Sequence, residues 1–243
     1  MNKNMRLDKF LSEMNIGSRR EIKEAVKKGR IKVNDVIIKS SDIKITPNED
    51  KVYFDNTLVK YVEYEYFIMN KPAGVVSATK DDNDVTVIDL IKTNTRDDIF
   101  PMGRLDKDTE GLLIITNDGE MAHRLLSPSN HVKKIYFARI EGKVTTEDVV
   151  KFKEGLTLSD GTITKPSELK ILTSDDISEI ELTIYEGKYH QVKRMFASVG
   201  KKVIYLKRIC MGDLYLDESL KTGEYRELTK EELDKLSLHK EFM

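Results

Sequence analysis

One carboxylate of this chain stands where a carboxylate can do chemistry. Asp106 lies in the run Gly103-Arg104-Leu105-Asp106-Lys107-Asp108-Thr109-Glu110-Gly111, directly ahead of four consecutive apolar residues, Leu112 to Ile115. Those four read as a buried strand, with Asn117-Asp118-Gly119 as the turn that closes it. An acid held by a rigid scaffold yet reachable from outside suits nucleophilic or base chemistry, since both need an ionised oxygen with a lone pair. Glycoside hydrolysis needs two carboxylates facing a sugar from opposite sides. Asp106 and Asp108, two apart in one loop, give no reason to expect that arrangement. Asp89, Asp108 and Asp118 read as ordinary solvated acids.

Other chemistries find little support. Cys210 is the only cysteine, and His123, His131, His190 and His239 show no paired metal-ligand spacing. An internal disulfide is excluded and no metal site is expected. Neither G-x-x-x-x-G-K nor G-x-G-x-x-G occurs, so nothing points to nucleotide hydrolysis or dinucleotide binding. The 41 Lys and Arg nearly cancel the 42 Asp and Glu, so nucleic-acid affinity has to come from local patches. Residues 1–60 supply one, with 14 basic against 9 acidic side chains, a net of +5. No apolar run approaches membrane-spanning length, and Met1-Asn2-Lys3-Asn4-Met5-Arg6 lacks the apolar core of a signal peptide. The expectation is a cytoplasmic protein.

The elements that hold Asp106 can be read from periodicity. In residues 1–60, Leu7, Phe10, Leu11 and Met14 share one face of a short helix, which Asn15-Ile16-Gly17 breaks. Ser18 and Glu21 form a capping-box pattern for a second helix with Ile22, Ala25 and Val26 inward and Gly29 at its end. Arg19, Lys23 and Lys27 form a basic stripe opposite that face. Arg30–Val33 alternates like a strand, and Asn34-Asp35 turns the chain before Val36-Ile37-Ile38. Asp55-Asn56 and Lys60–Tyr64 read as a short linker.

Beyond it, Tyr66–Met69 reads as a strand and Asn70-Lys71-Pro72-Ala73-Gly74 as a turn. Met121–Leu126 is helical in pattern, and Lys133–Ile140 a strand with Lys134, Tyr136 and Ala138 on one face. Ile180, Leu182 and Ile184 alternate with polar residues. Val192, Met195, Phe196 and Val199 mark a helix stopped by Gly200, and Thr229 with Glu232 caps a last one. Strands and helices interleave without a strict βαβ rhythm. The class is therefore α+β, with a mixed, mainly antiparallel sheet in residues 61–243.

Gly103-Arg104-Leu105-Asp106, Thr109, Gly111-Leu112 and Asn117-Asp118-Gly119 together resemble the catalytic signature of the RNA pseudouridine synthases. Arg6-Leu7-Asp8-Lys9-Phe10-Leu11, Ser18-Arg19-Arg20 and Gly29-Arg30-Ile31-Lys32-Val33-Asn34 resemble the S4 RNA-binding domain. The two resemblances span nearly the whole chain. They imply an S4 domain over 1–60, tethered to a catalytic domain over 61–243 that needs neither metal nor coenzyme. They assign the catalytic carboxylate to Asp106. Tyr189-His190-Gln191-Val192-Lys193-Arg194-Met195 matches a further family signature, whose basic residue pairs with the acid. Lys193 occupies that position, and Arg194 is the fallback. Tyr136 corresponds to the family aromatic that stacks on the flipped base and takes the proton from C5, although an amphipathic strand also buries tyrosines. Arg104 fills the gap left in the base stack or holds a phosphate.

The resemblance implies isomerisation of a flipped uridine to pseudouridine in ribosomal RNA. The size of the chain and the form His190-Gln191-Val192-Lys193-Arg194-Met195-Phe196 favour the small-subunit 16S branch, of the position-516 type. A large-subunit 23S enzyme is the alternative within the family. A non-catalytic RNA-binding assembly factor is the alternative outside it, and an intact Asp106, Tyr136 and Lys193 count against that. The expected partner is ribosomal RNA or a subunit assembly intermediate, met by a monomer. Arg6, Arg19, Arg20, Lys23, Lys27 and Arg30 would face RNA phosphates, joined near the cleft by Arg104 and Arg194; otherwise the helix stripe merely solvates an exposed face. Cys210 reads as core filler.

Overall fold

The computed structural model describes residues 4–237; His239 and the first three residues of the chain lie outside them. They form two compact units: the chain up to Glu65 together with Lys92–Ile99, and Tyr66–Ile91 together with the chain from Phe100 onward.

The first unit opens with β1 (Met5–Arg6), α1 (Leu7–Glu13) and α2 (Arg19–Lys27). Leu7, Phe10, Leu11 and Met14 are buried against Ile22, Ala25 and Val26, the faces that spacing predicts. Ser18 and Glu21 make the expected capping box. Four short strands follow as one sheet in the order β3 (Val36–Ile37), β2 (Ile31–Val33), β5 (Val52–Phe54), β6 (Thr57–Leu58), and β4 (Lys44–Ile45) pairs with β1. Asn34 and Asp35 both adopt left-handed φ values, 49° and 66°, which fits a tight hairpin turn. Asp55 and Asn56 do the same between β5 and β6, so this pair is a second hairpin turn rather than part of a linker.

A division at residue 60 also misplaces Lys92–Ile99, which packs with the smaller unit. Arg96, 4% exposed, pairs with Asp98 at 2.5 Å and Glu13 at 3.1 Å and donates to the Val62 carbonyl. The Glu65 carboxylate accepts from the backbone of Thr95 and Arg96, which ties residues 62–65 to the same unit. Apart from Asp98, these partners are 30 or more residues away, so no local pattern announces them.

The second unit is a nine-stranded sheet. Along the chain come β7 (Tyr66–Lys71), β8 (Phe100–Met102), β9 (Glu110–Thr116), α3 (Gly119–Leu126), β10 (Lys134–Glu141) and α4 (Thr146–Glu154). Then follow β11 (Glu168–Thr173), β12 (Ile177–Ile184), α5 (Gln191–Ser198), β13 (Lys202–Met211), β14 (Leu214–Tyr215), β15 (Tyr225–Glu227) and α6 (Lys230–Ser237). The strand order is β11-β12-β10-β13-β9-β7-β15, with β8 on β9 and β14 on β13. All these pairings are antiparallel except β9 with β13, the mixed, mainly antiparallel sheet of an α+β fold.

Alternation along β10 buries Lys134, Tyr136, Ala138 and Ile140, and along β12 Ile180, Leu182 and Ile184. Cys210 is fully buried. Two local readings change. Asn70 and Lys71 belong to strand β7 rather than to the turn after it. Asp118 caps α3, accepting from Met121 N at 2.9 Å, so Gly119 starts a helix instead of ending a turn. Among the described residues, no helix is long and apolar enough to cross a membrane.

Candidate active site

The loop between β8 and β9 is fixed from several directions. Ser77 exchanges hydrogen bonds with Leu105, its hydroxyl donating to the carbonyl at 3.0 Å and accepting from the amide at 3.1 Å. Gly74 N donates to Lys107 O, and Thr109 N to Asp106 O. Lys71, fully buried at the end of β7, donates from Nζ to the carbonyls of Thr109 (2.9 Å), Pro72 (3.0 Å), Asp106 (3.2 Å) and Lys107 (3.3 Å). Burial pulls its pKa from 10.5 to about 8, against the opposing pull of Asp108, Asp106 and Glu110. From sequence alone Lys71 reads as a turn residue. The signal available was a lysine two residues beyond Met69, in alternation with the apolar run Phe67-Ile68-Met69.

Gly111, where the loop enters β9, has φ +103°, and a Cβ there would sit 2.2 Å from the Arg208 carbonyl on β13. The glycine of this signature is thus required by the approach of two parallel strands.

Asp106 points toward α5. Lys193 Nζ lies 3.1 Å from Asp106 Oδ2 and 2.6 Å from Asp108 Oδ1, so one ammonium serves two carboxylates. Burial alone would lower the Lys193 pKa, but the hydrogen bonds to Asp108 and Asp106 outweigh it and the net shift is upward. Asp108, held chiefly by Lys193, is shifted down. His190 Nε2 stands 3.6 Å from Asp106 Oδ1, a neighbour that spacing in the sequence does not announce.

Lys193 is brought there by the start of α5. The buried Gln191 donates to Glu186 at 2.7 Å and accepts from Lys188 N at 2.8 Å, and Glu186 also accepts from Lys165 N. Arg194 turns the other way, to Asp160 at 2.5 Å, and is no alternative partner for Asp106.

Asp106, Arg104, Tyr136, Lys193 and His190 all line one cavity of about 680 Å³. Tyr136, 8% exposed, lies across the β10–β13 pairing from Arg208. Arg208, 2% exposed, donates to the Leu112 carbonyl at 2.8 Å and leaves Nη2 without a partner. Lys134 is next on the same face of β10; burial, and then Arg208, bring its pKa to about 8. The cavity is thus lined by an ionisable acid, a phenol ring and three buried or half-buried cations. Arg104 is exposed at its edge. Among the described residues no cluster of His, Cys, Asp and Glu could hold a metal ion.

Residues 65–198, more than half of the chain, match the family model of the RNA pseudouridylate synthases. The chain belongs to this family. It is an RNA pseudouridine synthase, an isomerase, and residues 5–50 match the S4 domain. It is 46% identical to the uncharacterized RNA pseudouridine synthase YtzG of Bacillus subtilis, over 96% of this chain and 98% of the relative. It is 41% identical to the ribosomal small subunit pseudouridine synthase A of Haemophilus influenzae, over 96% and 99%. A crystal structure described as a pseudouridylate synthase superposes with a TM-score of 0.67 at 39% identity, covering 96% of this chain and 99% of that one.

The basic side chains of the synthase's S4 unit divide into two groups. Arg6 pairs with Asp8 at 2.7 Å, Lys27 with Glu24 at 2.8 Å, and Arg30 with Asp55. Arg19, Arg20 and Lys23 are exposed and make no ion pair among the described residues. The expected stripe is therefore carried by two of its three members, Arg19 and Lys23, with Arg20 beside them.

Proposed function

We propose that this synthase isomerises one uridine of small-subunit ribosomal RNA, of the 16S position-516 type, with Asp106 as the catalytic carboxylate. The observation that carries the reading is the Asp106–Lys193 contact, 3.1 Å long, at the wall of a cavity that also holds Tyr136. The names and full-length similarity of the small-subunit relatives support the choice of RNA.

The reaction breaks C1′–N1, turns the freed uracil and forms C1′–C5; the proton lost from C5 is balanced by one gained at N1. Asp106 supplies the lone pair that starts it, with the Lys193 ammonium 3.1 Å away as its ion-pair partner. Tyr136 stacks on the extruded base and takes the C5 proton. Cleavage of C1′–N1 leaves the bonding electrons on uracil. Lys134 and Arg208 place positive charge beneath the cavity, against which such an anion is stabilised. Arg104, at the edge, contacts phosphate or occupies the vacated place in the stack.

The test is to incubate the protein with 16S and 23S ribosomal RNA fragments and with subunit assembly intermediates, then map pseudouridine by chemical labelling. Modification of a single 16S uridine, lost with Asp106→Asn, is the expected result. A 23S site would move the target to the large subunit. Modification that survives Asp106→Asn would overturn the mechanism.

A further inference from the structure

Among the described residues of the second unit, Tyr189 is the most exposed large apolar side chain, with 76% of its surface open, and it sits on the lining of the Asp106 cavity. An aromatic ring left in water beside a site is unspent binding surface. Its position is built rather than accidental. His190 adopts the left-handed conformation, φ 47° and ψ 35°, which is uncommon outside glycine and persists only where its surroundings hold it. That kink lays the His190 ring against the Tyr189 ring with centroids 3.8 Å apart and planes 20° from parallel. On the other side His190 is fixed near Asp106, 3.6 Å from Oδ1. The next residues form the first turn of α5, and Arg194 donates to the Tyr189 carbonyl at 3.5 Å. One face of the tyrosine is therefore covered and anchored to the catalytic loop, while the rest of the ring faces solvent.

The geometry points to this ring pair as a stacking site for the nucleobase adjacent to the target uridine. The inference rests on the functional reading above only in requiring that a uridine be extruded toward Asp106. Extrusion breaks stacking on both sides of that uridine, a loss of a few kcal/mol. A preformed aromatic platform beside the cavity replaces one of those stacks, and base–aromatic stacking tolerates any base because every base has a π-face. Stacking neutralises no phosphate, so this contribution is independent of salt, unlike that of Arg104 or the S4 arginines.

The probe is a single-stranded RNA oligomer with one central uridine and 2-aminopurine on its 5′ or its 3′ side. Stacking quenches 2-aminopurine fluorescence. With the full-length protein we expect quenching for one of the two placements, lost in Tyr189→Ala and restored in Tyr189→Phe. Tyr189→Ala should weaken binding about 5- to 150-fold, the range for one lost base stack. That penalty should vanish when the neighbouring nucleotide is abasic, and the slope of affinity against salt should not change. Equal quenching in Tyr189→Ala, no quenching by the unaltered protein at either placement, or a penalty that persists with the abasic oligomer would each overturn the proposal. The oligomer need not be the natural target. A failure here is therefore separable from a failure to modify ribosomal RNA, which the mapping experiment reads alone.

Discussion

Lys71 Nζ donates to the backbone carbonyl of Asp106 at 3.2 Å, so the loop that presents the carboxylate is held from beneath by a buried ammonium. Three more carbonyls around the same nitrogen close the loop over it. The arrangement depends on charge. An ammonium has three strong donors to share among those carbonyls, whereas a neutral amine has two weaker ones.

Activity should therefore fall as the pH rises through about 8, the value to which burial brings both Lys71 and Lys134. Lys71 loses its hold on the loop there, and Lys134 loses its charge beneath the cavity. Single-turnover rates from pH 6 to 10 in the unaltered protein, Lys71→Met and Lys134→Met would apportion the decline. A rate that stays level to pH 9.5 would contradict the role given to both lysines.

Stability should move in the opposite sense. The folded pKa of each lysine lies below its ordinary 10.5, so between about 8 and 10.5 the unfolded chain binds more protons than the folded one. Their cost to stability is complete below about pH 8 and shrinks as the pH climbs through that window. Relative to the Lys71→Met, Lys134→Met double variant, the unaltered protein should gain on the order of 2 kcal/mol per lysine across it. Urea unfolding midpoints at pH 7.5 and 10 would show this, and a constant difference between the two proteins would refute it.

The shared ammonium of Lys193 separates the roles of its two acids. Asp106→Asn should lower the rate by about a thousandfold or more, while Asp108→Asn, which leaves the Asp106 contact in place, should change it by less than about tenfold. Lys193→Met should cost about a hundredfold and Lys193→Arg much less, because a cation is retained. Comparable losses in both aspartate variants would mean that the loop needs the pair as a unit.

How much of this was open to sequence reading depended on how far apart the cooperating residues lie. The Asp106 loop, the inward face of β10 and the inward faces of the two S4 helices rest on spacings of two to four residues, and they stand where the spacing puts them. Lys71 was misread because its role comes from carbonyls 35 to 38 residues away. Arg96 clasps Glu13 and Val62 across 83 and 34 residues, and with it Lys92–Ile99 moves to the other unit. His190 reaches Asp106 only because α5 begins beside the Asp106 loop, a consequence of tertiary packing that no short window contains.

Two glycines test the packing argument around the site. Gly111→Ala would drive a methyl group into the Arg208 carbonyl at a left-handed φ, and should cost about 2–4 kcal/mol of stability along with activity. Gly119→Ala, at the start of α3 with nothing within 4 Å of the new methyl, should be neutral or stabilise by about 0.5 kcal/mol. Thermal and urea denaturation of the two variants would check this; equal effects would show that the close approach of β9 and β13 relaxes at little cost.

The S4 unit offers a prediction in which identical charges count differently. Arg19, Arg20 and Lys23 are exposed and without ion pairs among the described residues, so each can neutralise a phosphate and release a counterion. Arg6, Lys27 and Arg30 already face Asp8, Glu24 and Asp55, and must surrender those carboxylates before they can do the same. Replacing the first three by Gln should lower the slope of log affinity against log salt by about 2, at about 0.7 for each lost contact with single-stranded RNA. Replacing the second three should lower it by less than about 1, because each of those cations is already neutralised by a carboxylate and adds little counterion release when RNA binds. Fluorescence anisotropy with a ribosomal RNA fragment between 50 and 300 mM salt would separate the two triplets. Equal slopes would mean that the ion pairs open on binding and that all six cations meet phosphate.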